Sequence, residues 1–193
     1  TTAQVFLGTR LQCAKCHNHP FEKWTQDHYY GFAANFAKID YEIVENKRKD
    51  KNDKHQFIGE QIVEVGGKGA VKDPRTGRTV RPQFLYDVSF DTTLFSGAPS
   101  PGSEPPSDKD AAPDTLQTAA AWIASPDNDL FVKTMVNRVW HAMFGRGLVE
   151  PIDDFRATNP ASHPTVLDFL ARDFVEQDFD LRYLIRTIAT SRT

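Results

Sequence analysis

The sequence predicts a mainly α-helical protein with a small β-hairpin or meander inserted in the middle of the chain. Apolar residues recur at helical spacing near both ends of the 193 residues. A central stretch alternates apolar and polar residues beside glycine-rich turns. A run holding five of the twelve prolines separates the two helical parts.

The first helix is expected from Thr2 to Leu11, where Val5, Phe6 and Leu7 are apolar and Gly8 loosens the middle. His19-Pro20 closes this stretch, because the residue before a proline avoids the helical region. A second helix is expected from Thr25 to Ala37. Thr25 or Asp27 caps it, and Tyr29, Tyr30, Phe32, Ala33, Phe36 and Ala37 form a broad aromatic face. Tyr41 to Val44 alternates weakly, and Lys47 to Lys54 is a charged, turn-like run. Gln61 to Val65 reads as a strand, Gly66 to Gly69 as a turn and Ala70-Val71 as a returning strand. Asp73 to Gly77 is a second turn. Residues 97–114 form the proline-rich linker or surface loop.

Leu116 to Ala124 is a short helix. Asp127 or Asn128 caps a longer one running to Phe144, with Leu130, Phe131, Met135, Val136 and Val139 facing inward. Gly145 and Gly147 stop it. Ser162 and Pro164 open the next, carrying Val166, Leu167, Leu170, Ala171 and Phe174 at helical spacing. Asp180 caps the last, with Leu181, Leu184, Ile185 and Ile188 on one face. The expected parts are therefore residues 1–40, 41–96, 97–114 and 115–193.

Composition excludes some functions. The net charge of −3 gives no case for nucleic acid as a partner. No apolar run approaches the roughly 18 residues a transmembrane helix needs.

The chemistry is concentrated in Cys13-Ala14-Lys15-Cys16-His17, which holds the only two cysteines. C-x-x-C-H is the attachment signature of a c-type haem. Each thiol adds to one vinyl group of the porphyrin, and the adjacent imidazole of His17 reaches the iron as proximal ligand. The first 40 residues are thus expected to build a helical haem-binding body carrying one haem c. Haem c is attached outside the bacterial cytoplasm, so an exported protein, periplasmic or at the cell surface, is expected. The thioethers consume both thiols and leave none for a disulfide.

The distal ligand has several candidates: His28 on the aromatic helix, and Met135, His141 and Met143 on the long helix. His19 is either a residue orienting His17 or a haem propionate, or part of a tight turn. With Cys13, Cys16 and His17 it also makes a C-x2-C-H-x-H set, the donor count of a structural metal site. Tyr29, Tyr30, Trp24 and Phe32 are expected to pack along the ring. Arg138 or Arg146 is a candidate propionate partner. The competing reading joins them to Asp153-Asp154 in an Arg–Asp network that fixes the turn after the long helix. Lys47 to Lys54 reads as a solvated loop or as a docking patch for a redox partner protein.

Two stretches resemble known families. Phe6 through Phe36, containing QCAKCHNHPFEKWTQDHYYGFAANF, resembles the cytochrome-like (PSCyt-type) domain of unknown function found in large exported planctomycete proteins. Ala120 through Thr193 resembles the PSD-type domain that follows it there. The residues that carry this are Trp122-Ile123, Asn128, Val136 to Trp140, Phe144 to Val149, Asp153 to Phe155, Asn159-Pro160 and Ser162 to Pro164. Pro74 to Leu85 is similar to the usual join. The resemblance implies the end of one domain and most of the next, within a larger protein, and brings no settled activity. The motif therefore leaves three functions open: an electron-transferring cytochrome module, a haem enzyme with an open distal site acting on peroxide or polysaccharide-related substrates, and an interaction module holding a structural metal.

Overall fold

Gly8 ends the first helix early. It adopts a left-handed φ of 59°, so α1 spans only Thr2–Leu7. A Cβ at that position would lie 2.5 Å from the Phe155 ring and 2.8 Å from the Thr134 hydroxyl, so only glycine fits. The computed structural model describes residues 2–44, 47, 59–65, 69–85 and 115–192. Within them, a 3₁₀ turn at Gln12–Lys15 follows α1, and α2 spans Gln26–Ala34. Thr25 caps α2 as one of the two expected candidates, accepting a hydrogen bond from the His28 backbone N–H.

β1 (Ile39–Val44) pairs antiparallel with β2 (Glu60–Val65), Ile39 standing opposite Val65 and Val44 opposite Glu60. The pairing corrects one expectation. β2 pairs back to β1, and Ala70-Val71 is not a strand. The register explains this: it aligns Ile39 and Tyr41 with Val65 and Val63, a match of apolar side chains that two short residues cannot offer. Val71 instead accepts the Val80 N–H at 2.8 Å, closing the turn at 73–77. The charged run from Arg48 to Lys54, most of the expected turn at 66–69 and the proline-rich 97–114 lie outside the described residues.

The C-terminal helices follow the pattern of the sequence closely: α3 (Thr115–Ile123), α4 (Asp129–Phe144), α5 (Pro164–Glu176) and α6 (Leu181–Ala189). Asn128 caps α4 by accepting the Phe131 N–H, and Gly145, at φ 73°, closes it by donating to the His141 carbonyl. Pro164 starts α5, and Asp180 caps α6 through two backbone N–H groups. Ser162 does not cap α5; its hydroxyl donates to the Leu148 carbonyl. No helix among the described residues is long and apolar enough to cross a membrane.

Two apolar cores result among the described residues. The first gathers Leu7, Leu11, Ala14, Trp24, Phe32 and Leu85 with Trp122 and Ile123 of α3. The second gathers Val132 and Val136 of α4, Leu167, Leu170 and Phe174 of α5, and Leu184 and Ile188 of α6. Each fully buried side chain of this size contributes about 1.5–3 kcal/mol. Phe131 packs against both cores, so they meet at the start of α4. α3 thus lies with the N-terminal core, although the proline-rich run separates it from that core in sequence.

Candidate functional site

The C-x-x-C-H turn sits on the edge of the first core. Leu11 and Ala14 point into the core and are buried, which anchors the 3₁₀ turn from beneath. Three residues per turn then bring Cys16 above Cys13, and the Cys16 N–H lies 3.3 Å from the Cys13 carbonyl. Both cysteines are exposed, and neither is in a disulfide. His17 is exposed beside them.

Helix α2 clasps the turn from one side. The Tyr30 hydroxyl donates to the Lys15 carbonyl at 3.0 Å, and the Gln26 amide reaches the same oxygen at 3.4 Å. The Gln26 backbone N–H donates to the Asn18 side chain at 3.2 Å. The backbone of the motif is therefore held while its thiols are left open. Asn18 and Gln26 were not singled out by the sequence. The only hint was an asparagine after the motif, a residue type that favours local turns.

The three histidines of this segment differ in the group that meets Nδ1. His17 Nδ1 lies 2.7 Å from the Asn18 carbonyl oxygen. A carbonyl only accepts, so Nδ1 carries the hydrogen, and in the neutral ring the lone pair is then on Nε2. A carbonyl behind Nδ1 is the arrangement that orients metal-binding imidazoles. His19 is the reverse: its Nδ1 accepts the Phe21 N–H at 3.2 Å, which places the hydrogen of the neutral ring on Nε2. His28 Nδ1 likewise accepts the Thr25 N–H at 3.0 Å and completes the capping box of α2. Of these three rings in their neutral form, only His17 leaves a nitrogen lone pair without a hydrogen-bond donor.

The other candidate residues stand elsewhere. Met135 and Met143 pack against the second core. His141 lies in the last turn of α4, its Nδ1 3.5 Å from a Glu150 carboxylate oxygen. Tyr29 packs partly against the first core, while Trp24 and Phe32 are buried within it. Arg138 donates to the carbonyls of Val5 at 3.0 Å and Gln4 at 3.3 Å, tying α4 to α1. Arg146 is exposed.

The Arg–Asp network exists, but with other arginines. Asp153 binds Arg10 and Gln4, and Asp154 pairs with Arg156 at 3.1 Å. Burial raises the Asp153 pKa, while hydrogen bonds from Gln4 and Arg10 and the Arg10 charge lower it; the net shift is downward. Arg10 was missed because its partner lies 143 residues away.

The residues of the turn fit a covalently held haem. A porphyrin brings four nitrogen ligands of its own, so two thiols and one imidazole with a free lone pair suffice. A structural metal site needs about four converging protein donors. Among the described residues no group of three His, Cys, Asp or Glu side chains is placed to hold a metal ion.

Comparison with known proteins agrees with the sequence resemblance. Residues 1–41 match the family model PSCyt2, described as a protein of unknown function (DUF1549). Residues 117–193 match PSD1, likewise described as a protein of unknown function (DUF1553). No curated protein and no solved structure shows a significant match to the chain. The chain thus joins a PSCyt2-type segment, which carries the C-x-x-C-H turn, to a PSD1-type segment that builds the second apolar core and gives Trp122 and Ile123 to the first.

Proposed function

We propose that this chain is a c-type cytochrome module that binds one haem covalently and transfers electrons to or from a partner protein outside the cytoplasm. The reading rests chiefly on His17, whose Nδ1–H is bound to the Asn18 carbonyl and whose Nε2 lone pair is left free beside two exposed thiols. Cys13 and Cys16 would tether the ring, and His17 would ligate the iron. The group supplies one-electron redox chemistry when bound. The chain's own work is to hold the turn through Ala14, Tyr30 and Gln26, and to keep the His17 ring in its ligating tautomer through Asn18.

The coordination of the iron separates this reading from a second one, a haem protein with an open distal site. That second reading is favoured by the places of the distal candidates: His28 is engaged in a cap, Met135 and Met143 pack against the second core, and His141 Nδ1 lies 3.5 Å from Glu150. The experiment is an absorption spectrum of protein matured in a cell with haem c attachment machinery. A low-spin six-coordinate spectrum, unchanged by cyanide or peroxide, supports the electron carrier. A spectrum that responds to cyanide supports the open site. No haem absorbance in the matured protein removes both.

A further inference from the structure

The peptide group between Asn18 and His19 is bonded at both of its polar atoms. Its carbonyl oxygen lies 2.7 Å from His17 Nδ1. Its N–H donates to the Trp24 carbonyl at 2.7 Å. Trp24 is buried in the first core, so this second bond ties the peptide to a fixed part of the fold. The Asn18 side chain adds a third tie, its oxygen accepting the Gln26 N–H at 3.2 Å. Gln26 is the first residue of α2, where a backbone N–H has no partner within the helix. Thr25 takes the His28 N–H of the same turn, so the two side chains satisfy different groups.

These contacts form one path from the core to the imidazole. The Trp24 carbonyl accepts the His19 N–H, and across the same peptide the Asn18 carbonyl accepts the His17 Nδ1–H. Hydrogen bonds in a chain polarise one another, so a peptide whose N–H is donating has a stronger acceptor at its carbonyl. Rotating this peptide would break both bonds at once. The Asn18 side chain opposes that rotation by holding its residue on α2. The bond made at one ring nitrogen sets which nitrogen of a neutral imidazole is left for a metal, and a good acceptor at Nδ1–H makes Nε2 the stronger donor to it.

We propose that Asn18 is a positioning residue for His17. Its side chain, tied to the first turn of α2, holds the Asn18–His19 peptide so that the carbonyl fixes the Nδ1–H tautomer and strengthens Nε2 as a ligand. The effect on iron rests on the cytochrome reading; the tautomer does not.

The test uses the full chain. Asn18→Ala removes the side-chain acceptor, and Asn18→Asp keeps it. Gln26→Pro removes the donor at a helix position that tolerates proline, and Gln26→Ala keeps that donor. Circular dichroism shows which variants fold, and either loss variant decides the matter if the other does not. In haem-free protein at about pH 9, where imidazoles are neutral, isotope-labelled ring signals report which nitrogen holds the hydrogen, with His17→Gln locating the His17 signal. A single Nδ1–H form is expected in the wild type, Asn18→Asp and Gln26→Ala, and its loss to a mixture in Asn18→Ala and Gln26→Pro. In matured protein, the two loss variants are expected to have a higher reduction potential than the wild type and Gln26→Ala, because a weaker donor stabilises oxidised iron less. An Nδ1–H form unchanged in a folded loss variant overturns the proposal, as does its loss in Asn18→Asp or a wild-type hydrogen on Nε2. Tautomers that change as expected while the potentials stay equal overturn the effect on iron. Wild type that matures without haem removes the cytochrome reading and leaves the tautomers to decide the role of Asn18.

Discussion

At the scale of single residues, the attachment turn separates function from stability. Cys13 and Cys16 are exposed, while Ala14 between them is fully buried. Replacing both thiols, Cys13→Ala with Cys16→Ala, is expected to abolish covalent haem and to leave stability within about 0.5 kcal/mol of the wild type. A haem stain of the denatured protein and a urea melt of the haem-free chain check the two halves. Asp153 behaves oppositely, because its work is structural. Its pKa is lowered in the folded state, so its contribution is present above the unfolded carboxylate value, about 4, and is lost as pH falls through the folded value. Arg10 is 41% exposed, which screens the pair, so Asp153→Asn is expected to cost about 1 kcal/mol at pH 7. Urea melts should show that difference shrinking as the pH falls below about 4.

At the scale of elements, a side chain of α4 clamps the turn that follows the helix. Asn137 is fully buried; its amide donates to the Val149 carbonyl at 2.9 Å, and its oxygen accepts the Val149 N–H at 3.0 Å. Asn137→Ala strands two buried backbone groups and is expected to cost about 2–4 kcal/mol, read from the denaturant midpoint. Helix existence and caps were legible in the sequence because they are local: Asn128, Gly145, Pro164 and Asp180 act within one turn of themselves. The end of α1 was less legible. Gly8 reads as a loose point within a helix, and only the Phe155 ring and Thr134 hydroxyl packed against it show why it must be a stop. The strand pairing was misread for a related reason. Turn residues after β2 suggested a forward return, but the apolar register with β1 lies about twenty residues upstream. In the site, the cysteines and His17 were legible as a motif. The tautomers that separate His17 from His19 and His28 were not, since they depend on which backbone group meets each Nδ1.

At the scale of the whole molecule, the PSCyt2-type and PSD1-type segments form one packed unit. The Phe155 N–H donates to the Gly8 carbonyl at 2.8 Å, the Ala157 N–H donates to the Glu22 carboxylate at 3.0 Å, and Arg138 holds the end of α1. The two cores share Phe131. They are therefore expected to unfold together, with far-ultraviolet circular dichroism and tryptophan fluorescence giving coincident transitions. Trp24 and Trp122 lie in the first core and Trp140 packs on the second, so the fluorescence samples both. Gly8→Ala should move both probes to lower denaturant by the same amount, by about 2 kcal/mol or more, from the left-handed backbone and the clash with Phe155. Two separated transitions would show that the joint does not couple the segments.

The central claim is that the C-x-x-C-H turn carries covalent haem. Its most direct test is the intact mass, under denaturing conditions, of the chain produced with haem c maturation machinery. The account predicts a mass increased by one haem, absent from the Cys13→Ala, Cys16→Ala variant. The unmodified polypeptide mass, in cells where a known c-type cytochrome matures normally, would contradict it.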